Sequence, residues 1–269
     1  MNNTMTDHKD FPTLDNIIEC ARNAGKIAMK YFRHNDRMEM HNKLNDSDIV
    51  TTADKECESY ITDFIKSHYP THSILSEESG ETDGSDKCRW VIDPIDGTTN
   101  FFSGIPLWAI SIGVERNGET VIGVVYLPAT DELFYAEKGK GAFLNGKKIH
   151  VSTQSKLSRS VISTGFPVDK DSNPDNNLDN LAAILPRVRD IRRLGAATAD
   201  ICYTAAGFLG GYWELNLHEW DVNAGLLILT EAGGKYTRFR NDRNVSIVCG
   251  TSEIHDQLLS LLNPSPRKA

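Results

Sequence analysis

The sequence has little cysteine and no long apolar run, and both deficits restrict what the protein can be. Its five cysteines among 269 residues are widely spaced and form no Cys-x-x-Cys pair. This spacing is typical neither of a disulfide framework nor of a cysteine metal site, so we expect reduced thiols in a cytoplasmic protein. No run approaches the roughly 20 apolar residues of a membrane span, and no N-terminal stretch has the apolar core of a signal peptide. We therefore expect no membrane association.

Positive charge is also in short supply. The chain has 29 Lys and Arg against 37 Asp and Glu, a formal net charge of −8. Because nucleic acids and anionic membranes are themselves negative, this balance disfavours both as the main partner. An acidic protein still binds a small phosphorylated metabolite where metal ions supply positive charge locally. The hydrophobic share of 39% is ordinary for a soluble globular protein.

The pattern of apolar residues changes near residue 151. Residues 11–151 contain two amphipathic helices, the first capped by Thr13 and running to about Phe32, followed by a β-rich section with a hairpin turn at Asn117-Gly118. In residues 152–262, strands alternate with helices, so we predict two closely packed halves, α+β and then α/β. Polar residues 1–10 are predicted to be disordered, and residues 263–269 to form a tail.

The most informative stretch is Asp93-Pro-Ile-Asp-Gly-Thr-Thr-Asn-Phe101, which follows an apolar run that is typical of a buried strand. Pro94 cannot donate to a sheet ladder, which predicts that the strand ends and turns here. Gly97 allows the turn without a Cβ clash and leaves room for a ligand. Two carboxylates held close together repel unless a proton or cation lies between them, and Mg²⁺ prefers such oxygens. The alternative is a simple Asp-Pro and Asp-Gly turn.

Three other segments offer carboxylates at the boundaries of predicted elements. Glu77-Glu78 follows a short strand, and Asp54 and Asp221 each open a predicted helix. Each has an ordinary structural explanation, because a Glu pair is usually exposed and Asp is among the best helix N-caps. These residues gain functional weight only if the fold brings them beside the central motif.

In combination, residues 93–101, Trp220-Asp-Val-Asn-Ala-Gly225, Gly233-Gly234 and Glu77-Glu78-Ser79 resemble the inositol monophosphatase family. The resemblance extends from about Thr13 to Leu262. That family belongs to the Mg²⁺-dependent, lithium-sensitive phosphatase superfamily that includes fructose-1,6-bisphosphatase. The resemblance implies a five-layered α-β-α-β-α sandwich of the α+β and α/β classes, usually assembled as a homodimer, with two to three Mg²⁺ ions in each site.

The resemblance also assigns metal ligands to positions of this sequence. The ligands of a first metal correspond to Glu77, Asp93 and the main-chain carbonyl of Ile95. As one of these ligands, Glu77 is also implied to be a catalytic residue. Asp93, Asp96 and Asp221 correspond to those of a second metal, with Asp93 bridging the two. A third, weaker ion is implied near Glu77.

The remaining assignments concern the attacking water and the substrate. Thr98 corresponds to the hydroxyl that orients the water together with Asp54, and Lys43 lies where family members place a lysine near the metals. Glu214 corresponds to the acid that hydrogen-bonds substrate hydroxyls. The full set of implied substrate contacts is Asp96, Gly97, Thr98, Gly195, Ala196, Ala197, Glu214 and Asp221.

These assignments imply Mg²⁺-dependent hydrolysis of a small polyol or sugar monophosphate, foremost myo-inositol 1-phosphate, by metal-activated water without a covalent intermediate. The same fold also serves fructose-1,6-bisphosphatases, histidinol phosphatases and 3′(2′),5′-bisphosphate nucleotidases, which are the alternatives. Asn100-Phe101 after Gly-Thr-Thr makes the nucleotidase branch the weaker one. A non-catalytic metal-binding regulator is disfavoured because no ligand of the implied set is missing.

A basic segment bears on the choice of substrate. It contains Arg187, Arg189, Arg192 and Arg193. We prefer the interpretation that these side chains form a solvated or subunit-facing surface. The alternative is that one of them binds a second phosphate, as a bisphosphatase would need.

Overall fold

A computed structural model describes residues 11–34, 36, 39–43, 49–240 and 242–262. Within these residues lie seven α-helices: α1 (Leu14–Ala28), α2 (Thr52–His68), α3 (Thr98–Phe102), α4 (Leu178–Ile184), α5 (Ala197–Ala205), α6 (Glu219–Glu231) and α7 (Ser252–Leu259). Two short 3₁₀ helices accompany them, Leu157–Arg159 and Leu185–Arg187.

The same residues contain fifteen strands: β1 (Met40–Asn42), β2 (Ile49–Thr51), β3 (Ser73–Ser76), β4 (Gly80–Thr82), β5 (Cys88–Asp96), β6 (Ala109–Arg116), β7 (Glu119–Leu127), β8 (Glu132–Glu137), β9 (Ala142–Leu144), β10 (Lys147–Ile149), β11 (Val161–Thr164), β12 (Asp190–Arg192), β13 (Gly211–Leu217), β14 (Lys235–Arg240) and β15 (Val245–Gly250).

The strands form one large sheet, one smaller sheet and a two-stranded ribbon of β1 and β2. The large sheet has eight strands in the order β10-β9-β8-β7-β6-β5-β3-β4. Its pairs are antiparallel except for β3 and β5, which run parallel. The smaller sheet has the order β12-β11-β13-β15-β14, with β11 parallel to both neighbours. The parallel pair in the large sheet brings the carboxyl ends of β3 and β5 to one edge.

Helices cover both faces of each sheet. Helices α1 and α2 pack on the outer face of the large sheet, in a core that includes the fully buried Trp90 and Trp108. Helices α5 and α6 lie between the two sheets, and α4 and α7 cover the far side of the smaller sheet around Trp213. The layers therefore alternate α-β-α-β-α, which confirms the predicted five-layered sandwich.

Local sequence signals explain several element boundaries. Thr13 caps α1 as predicted, and it exchanges hydrogen bonds with Asn16 in a capping box. The helix ends at Ala28, short of the predicted Phe32. Asn117 and Gly118 have φ values of 55° and 79°. Positive φ at both positions is what a two-residue type I′ hairpin between β6 and β7 requires.

The prediction that β5 ends at Pro94 was wrong. The strand continues to Asp96, and its pairing with β6 shifts register between Asp93 and Asp96. Three steps along β5 there correspond to two along β6, from Ser111 to Ala109, so one extra residue forms a bulge. A bulge tolerates proline because the residue that cannot donate lies where the ladder is already interrupted.

The division of the chain at residue 151 remains a prediction. The predicted disordered residues 1–10 and tail 263–269 lie outside the described residues. Over the part of the chain that the structure describes, we found no helix with the length and apolar character needed to span a membrane.

Candidate active site

Four carboxylates from three parts of the chain meet at the edge where β3 and β5 end. Glu77 directly follows β3, Asp93 and Asp96 flank the bulge of β5, and Asp221 comes from the first turn of α6. One oxygen each from Asp93, Asp96 and Asp221 can be chosen so that all three lie within 4.8 Å of one another. Glu77 is close enough to Asp93 to hydrogen-bond it if one of the two is protonated. The structure therefore brings together all four acids that the sequence singled out.

The bulge and the following turn fix the direction of the β5 carboxylates. The backbone N–H of Ile95 donates to Asp93 Oδ1 at 3.0 Å. Gly97 ends the strand with φ of 87° and precedes α3. A Cβ at this position would lie 3.0 Å from both Ala196 Cβ and the Gly195 carbonyl oxygen. Glycine at 97 therefore permits close contact between the motif and the segment predicted to bind substrate.

Asp96 is held by the first turn of α5. Its Oδ1 accepts from the N–H of Ala197 at 3.1 Å, and its Oδ2 accepts from the N–H of Thr198 at 2.7 Å. The Thr198 hydroxyl also donates to Oδ2. Neither of these N–H groups has a partner inside the helix at this position, so the carboxylate satisfies them from another element.

Asp54 and Thr98 contact each other directly, as the predicted water-orienting pair requires. The Thr98 hydroxyl lies 3.2 Å from Asp54 Oδ1 and 3.1 Å from the carbonyl oxygen of Ile95. The other oxygen of Asp54 accepts from the N–H and hydroxyl of Thr51, at 2.8 and 2.5 Å. Asp54 is thus anchored on one side and leaves the other facing Thr98.

The prediction that Asp54 and Asp221 are helix N-caps was wrong, because each lies three residues after the N-cap of its helix. The N-cap residues are Thr51 and His218, and each Asp is the third residue of its helix. Asp221 Oδ2 accepts from the N–H of His218 at 2.6 Å, the back-bond of a capping box. Both acids therefore stabilise a helix start with one oxygen and present the rest of the carboxylate to the site.

The electrostatics of the cluster indicate a missing positive charge. Burial, followed by the charges of Glu77, Asp96 and Asp221, raises the pKa of Asp93 well above its ordinary value. Burial likewise raises the pKa of Asp96 to about 6, although the hydrogen bonds from α5 oppose this. Among the described residues, no Lys or Arg side chain is recorded within 4 Å of the carboxylates of Asp93, Asp96 or Asp221. A hard divalent cation fits this set of oxygen donors and would relieve the repulsion.

Lys43 lies at the margin of the cluster. Its Nζ is 2.8 Å from Glu77 Oε1 and 2.6 Å from Glu78 Oε1. Although burial acts to lower the pKa of Lys43, the two glutamates raise it overall, so the amine stays charged. The lysine therefore neutralises the outer edge of the cluster and leaves its centre negative.

A cavity of about 390 Å³ opens beside the acids. Its polar lining includes Lys43, Glu77, Glu214 and Asp221. Its apolar lining consists of Phe166, Pro167, Val168, Leu215, Leu217 and Trp220. One polar and one apolar wall suit a polyol, which presents hydroxyls on its rim and C–H groups on its faces.

Glu214 is embedded at the polar wall. A Cβ at Gly165 would lie 2.0 Å from both of its carboxylate oxygens, so the acid packs directly against that glycine. Burial raises the pKa of Glu214 to about 7, while a hydrogen bond from the Tyr212 hydroxyl and the charge of Arg193 act to lower it. A carboxyl in this state both accepts from and donates to neutral hydroxyl groups near pH 7.

The arginines of the basic segment do not behave as one surface. Arg192 is exposed and pairs with Asp190 at 2.6 Å. Arg193 is also exposed, but its Nη1 lies 2.2 Å from where a Cβ of Gly195 would be. The charge of Arg193 acts to lower the pKa of Glu214, which lines the cavity, but Arg193 is not itself among the lining residues.

Sequence reasoning missed three residues at the site. Thr198 contacts Asp96 across 102 positions of the chain, and Asp200 is 1% exposed with a pKa raised by burial and by Glu214. Trp220 lines the cavity and stacks on His218 with ring centroids 4.5 Å apart. The one available signal was an Asp inside the apolar sequence of α5, which marks a buried acid without naming its neighbours.

Comparison with known proteins agrees with this geometry. The model of the inositol monophosphatase family matches residues 12–267. An inositol-1-monophosphatase of Rhizobium meliloti is 40% identical over 261 residues, which cover 95% of this chain and 98% of that one. The Nus factor SuhB of Escherichia coli is 38% identical, with 93% and 95% covered.

A solved structure gives the same result. The inositol monophosphatase of Anabaena superposes with a TM-score of 0.81 at 37% identity and covers 92% of this chain and 94% of that one. The match of family model, sequence and fold extends over nearly the whole chain, so this protein belongs to the inositol monophosphatase family.

Proposed function

We propose that this protein is a Mg²⁺-dependent phosphomonoesterase whose main substrate is myo-inositol 1-phosphate. Family membership supports phosphatase activity on a small phosphorylated substrate. The observation that carries the proposal is the set of three carboxylates within 4.8 Å of one another, beside a half-polar cavity and with no compensating cation among the described residues. An uncompensated acidic site attracts a phosphate dianion only after it has bound metal ions.

The residues fit two to three Mg²⁺ ions. Glu77, Asp93 and the carbonyl of Ile95 would hold one, and Asp93, Asp96 and Asp221 another, with a third near Glu77. Bound Mg²⁺ would neutralise the phosphate, acidify a water molecule and stabilise the departing alkoxide.

Thr98 and Asp54 would prepare the attacking water. The Thr98 hydroxyl is fixed between Asp54 and the Ile95 carbonyl, so its oxygen has a defined lone-pair direction. Burial raises the pKa of Asp54 to about 7, against the opposing hydrogen bonds from Thr51. A carboxylate with a pKa near the working pH is well matched to accept a proton through Thr98 as the water attacks.

The substrate hydroxyls would bind at the polar wall. Glu214 lines the cavity, Gly195 and Ala196 lie against Gly97, and the N–H of Ala197 donates to Asp96. The phosphate would lie near Asp96, Gly97, Thr98 and Asp221. Trp220 and the other apolar residues would contact the C–H face of the ring.

Arg193 favours one alternative substrate. Its guanidinium lies against Gly195 and is exposed, which leaves it available to a second phosphate, so fructose-1,6-bisphosphate is the second candidate. Histidinol phosphate and a 3′(2′),5′-bisphosphate nucleotide remain further alternatives.

A non-enzymatic role is a separate possibility that the relatives raise. The E. coli relative carries the name of a Nus factor at nearly the same identity as the named phosphatase. A regulatory function beside catalysis is therefore a second proposal, although the acidic net charge still disfavours direct binding of nucleic acid.

Phosphate release from purified protein tests the main proposal. The panel is myo-inositol 1-phosphate, fructose-1,6-bisphosphate, histidinol phosphate and 3′-phosphoadenosine 5′-phosphate, each with Mg²⁺ and with EDTA. We expect the highest kcat/KM for the inositol phosphate and no phosphate release from any of the four substrates in EDTA. Turnover that persists in EDTA, or no turnover on any panel member, would overturn the proposal.

The oligomeric state and the cellular location are two further proposals. We propose a homodimer, which light scattering of the purified chain would check. All five cysteines are unpaired and buried, which supports the proposed cytoplasmic location.

A further inference from the structure

We infer that Thr198 is a positioning residue for the cation site, because it fixes the carboxylate of Asp96. The inference rests on the proposed function in one respect only, that Asp96 binds a divalent cation. Thr198 itself contributes no atom to the predicted metal or substrate contacts.

Thr198 supplies two of the three hydrogen bonds that reach Asp96 from α5. Its N–H and its hydroxyl both donate to Oδ2, while Oδ1 receives one bond from Ala197. Thr198 is 0% exposed and Asp96 is 6% exposed, so water does not compete for these bonds. Hydrogen bonds to an ionised acceptor in such surroundings are short, strong and directional.

Among the described residues, the Thr198 hydroxyl donates to Asp96 and forms no hydrogen bond within its own helix. The N-cap of α5 is Ala196, which makes no side-chain cap hydrogen bond. The Thr198 hydroxyl reaches across to β5 and does not return to a carbonyl of its own helix, as threonine hydroxyls inside helices commonly do. Thr204 shows that ordinary arrangement in the same helix, with its hydroxyl 2.9 Å from the carbonyl oxygen of Asp200.

One consequence for Asp96 follows from this contact. The hydrogen bonds from Thr198 and Ala197 set the rotation of the carboxylate, which decides where its remaining lone pairs point. Groups that orient a metal ligand in this way typically change metal affinity 10–100-fold when they are removed.

Thr198→Val removes the hydroxyl while keeping the shape and the backbone N–H. The matched control is Thr204→Val, the same change in the same buried helix but at a hydroxyl that does not contact a predicted ligand. Thr198→Ser restores the hydroxyl and serves as the conservative rescue. Thr198→Ala is a second deletion variant that keeps the test decisive if Thr198→Val is poorly folded.

Isothermal titration with MgCl₂, without substrate, measures the effect directly. We expect the Mg²⁺ dissociation constant of Thr198→Val to rise about tenfold. Thr198→Ser and Thr204→Val should stay within about twofold of the parent protein, because each retains the Asp96 contact. Melting temperatures in EDTA establish that all variants are folded.

The outcomes separate this inference from the proposed function. Unchanged Mg²⁺ binding by Thr198→Val, or equal weakening in Thr198→Val and Thr204→Val, overturns the role of Thr198 alone. The expected binding pattern without hydrolysis of any phosphate substrate overturns the proposed function alone. A parent protein that binds no Mg²⁺ overturns both.

Discussion

Two clusters of buried ionisable residues in the protein are balanced in opposite ways. At the candidate active site, Asp93, Asp96 and Asp221 approach one another without a basic partner among the described residues. In the C-terminal half, the Arg240 guanidinium is 1% exposed and contacts both Asp175 and Asp242, at 2.5 and 2.6 Å for the closest atoms.

The second cluster also includes the pair of Arg243 and Asp169, and the pKa values of two of its acids are lowered rather than raised. The hydrogen bond from Arg240 lowers the pKa of Asp242 below its ordinary value. Although burial acts to raise the pKa of Asp169, hydrogen bonds from Asn173 and Arg243 lower it overall. Paired charges of this kind hold the loop before α4 against the hairpin of β14 and β15, whereas Asp93, Asp96 and Asp221 have no basic partner among the described residues.

We expect the paired cluster to serve structure and the unpaired cluster to serve binding. Removing an acid from the paired cluster should leave a buried arginine without one of its partners and lower the stability. Removing an acid from the unpaired cluster should relieve repulsion and lower the activity instead.

The largest expected effect is on catalysis. Asp93→Asn should lower kcat/KM with Mg²⁺ by more than about 1000-fold, since it removes a ligand shared by both predicted metals and so exceeds the cost of one electrostatic donor. Its melting temperature in EDTA should equal or exceed that of the parent protein, because burial and its neighbours oppose the charge at this position. Retained turnover by a folded variant would contradict the metal assignment.

A substitution in the paired cluster should lower the stability of the protein. Asp175→Asn should lower the free energy of unfolding by about 3 kcal/mol, the lower end for a broken buried pair because Asp242 still contacts Arg240. Denaturant titration measures this value. Asp190→Asn is the control, since Asp190 pairs with Arg192 where both side chains are about half exposed, at 53% and 47%. Equal losses from both variants would show that burial does not distinguish these ion pairs.

The pH dependence of stability should separate the clusters further. Burial raises the pKa of Asp54 and Glu214 to about 7 and of Asp96 to about 6. Because the folded state holds these protons more tightly, their contribution is fully present below about pH 4 and is lost as the pH rises through 6 to 7. In EDTA the melting temperature should therefore fall by about 5 °C or more between pH 5 and pH 8.

Magnesium should reverse that trend. Metal binding requires deprotonated carboxylates, so the stabilisation by saturating MgCl₂ should grow from pH 5 to pH 8. Calorimetric scans with EDTA and with MgCl₂ give both curves. A Mg²⁺ effect that shrinks as pH rises would contradict the assignment of these acids to a cation site.

The smallest expected effect concerns Arg193, the arginine nearest the unpaired side. Arg193→Gln should change kcat/KM for myo-inositol 1-phosphate by less than about threefold, since an exposed charge near one carboxyl contributes little. Arg192→Gln is the matched control because that side chain pairs with Asp190 instead. A loss confined to fructose-1,6-bisphosphate, of about tenfold or more, would make the bisphosphate the better substrate proposal.

Local sequence rules predicted most elements because those elements depend on neighbours in the chain. The Asn117-Gly118 hairpin and the Thr13 cap both follow from residues a few positions apart. The same rules gave a wrong end for β5 at Pro94. A bulge opposite β6 removed the missing donor from the ladder, and the sequence of β5 carries no information about its partner's register.

The site was predicted in composition but not in arrangement. The family resemblance named the four acids, and the structure brought them together. Thr198 was invisible because nothing near it in sequence marks its contact with Asp96, 102 residues away. Arg193 was assigned to the surface along with its neighbours, and it is exposed, but its guanidinium lies against Gly195 and its charge acts on the pKa of Glu214.

Periodicity and capping signals predicted most helices and strands and placed the acids near their ends, since both are short-range effects. The contacts of Asp54 with Thr98 and of Asp221 with the other acids depend on the packing of elements far apart in the chain. An acid that only stabilises a helix start and one that also contacts such a cluster look alike in sequence, because both need the same side chain in the first turn of a helix. What distinguishes them is the direction of the second carboxylate oxygen, which packing between distant elements sets.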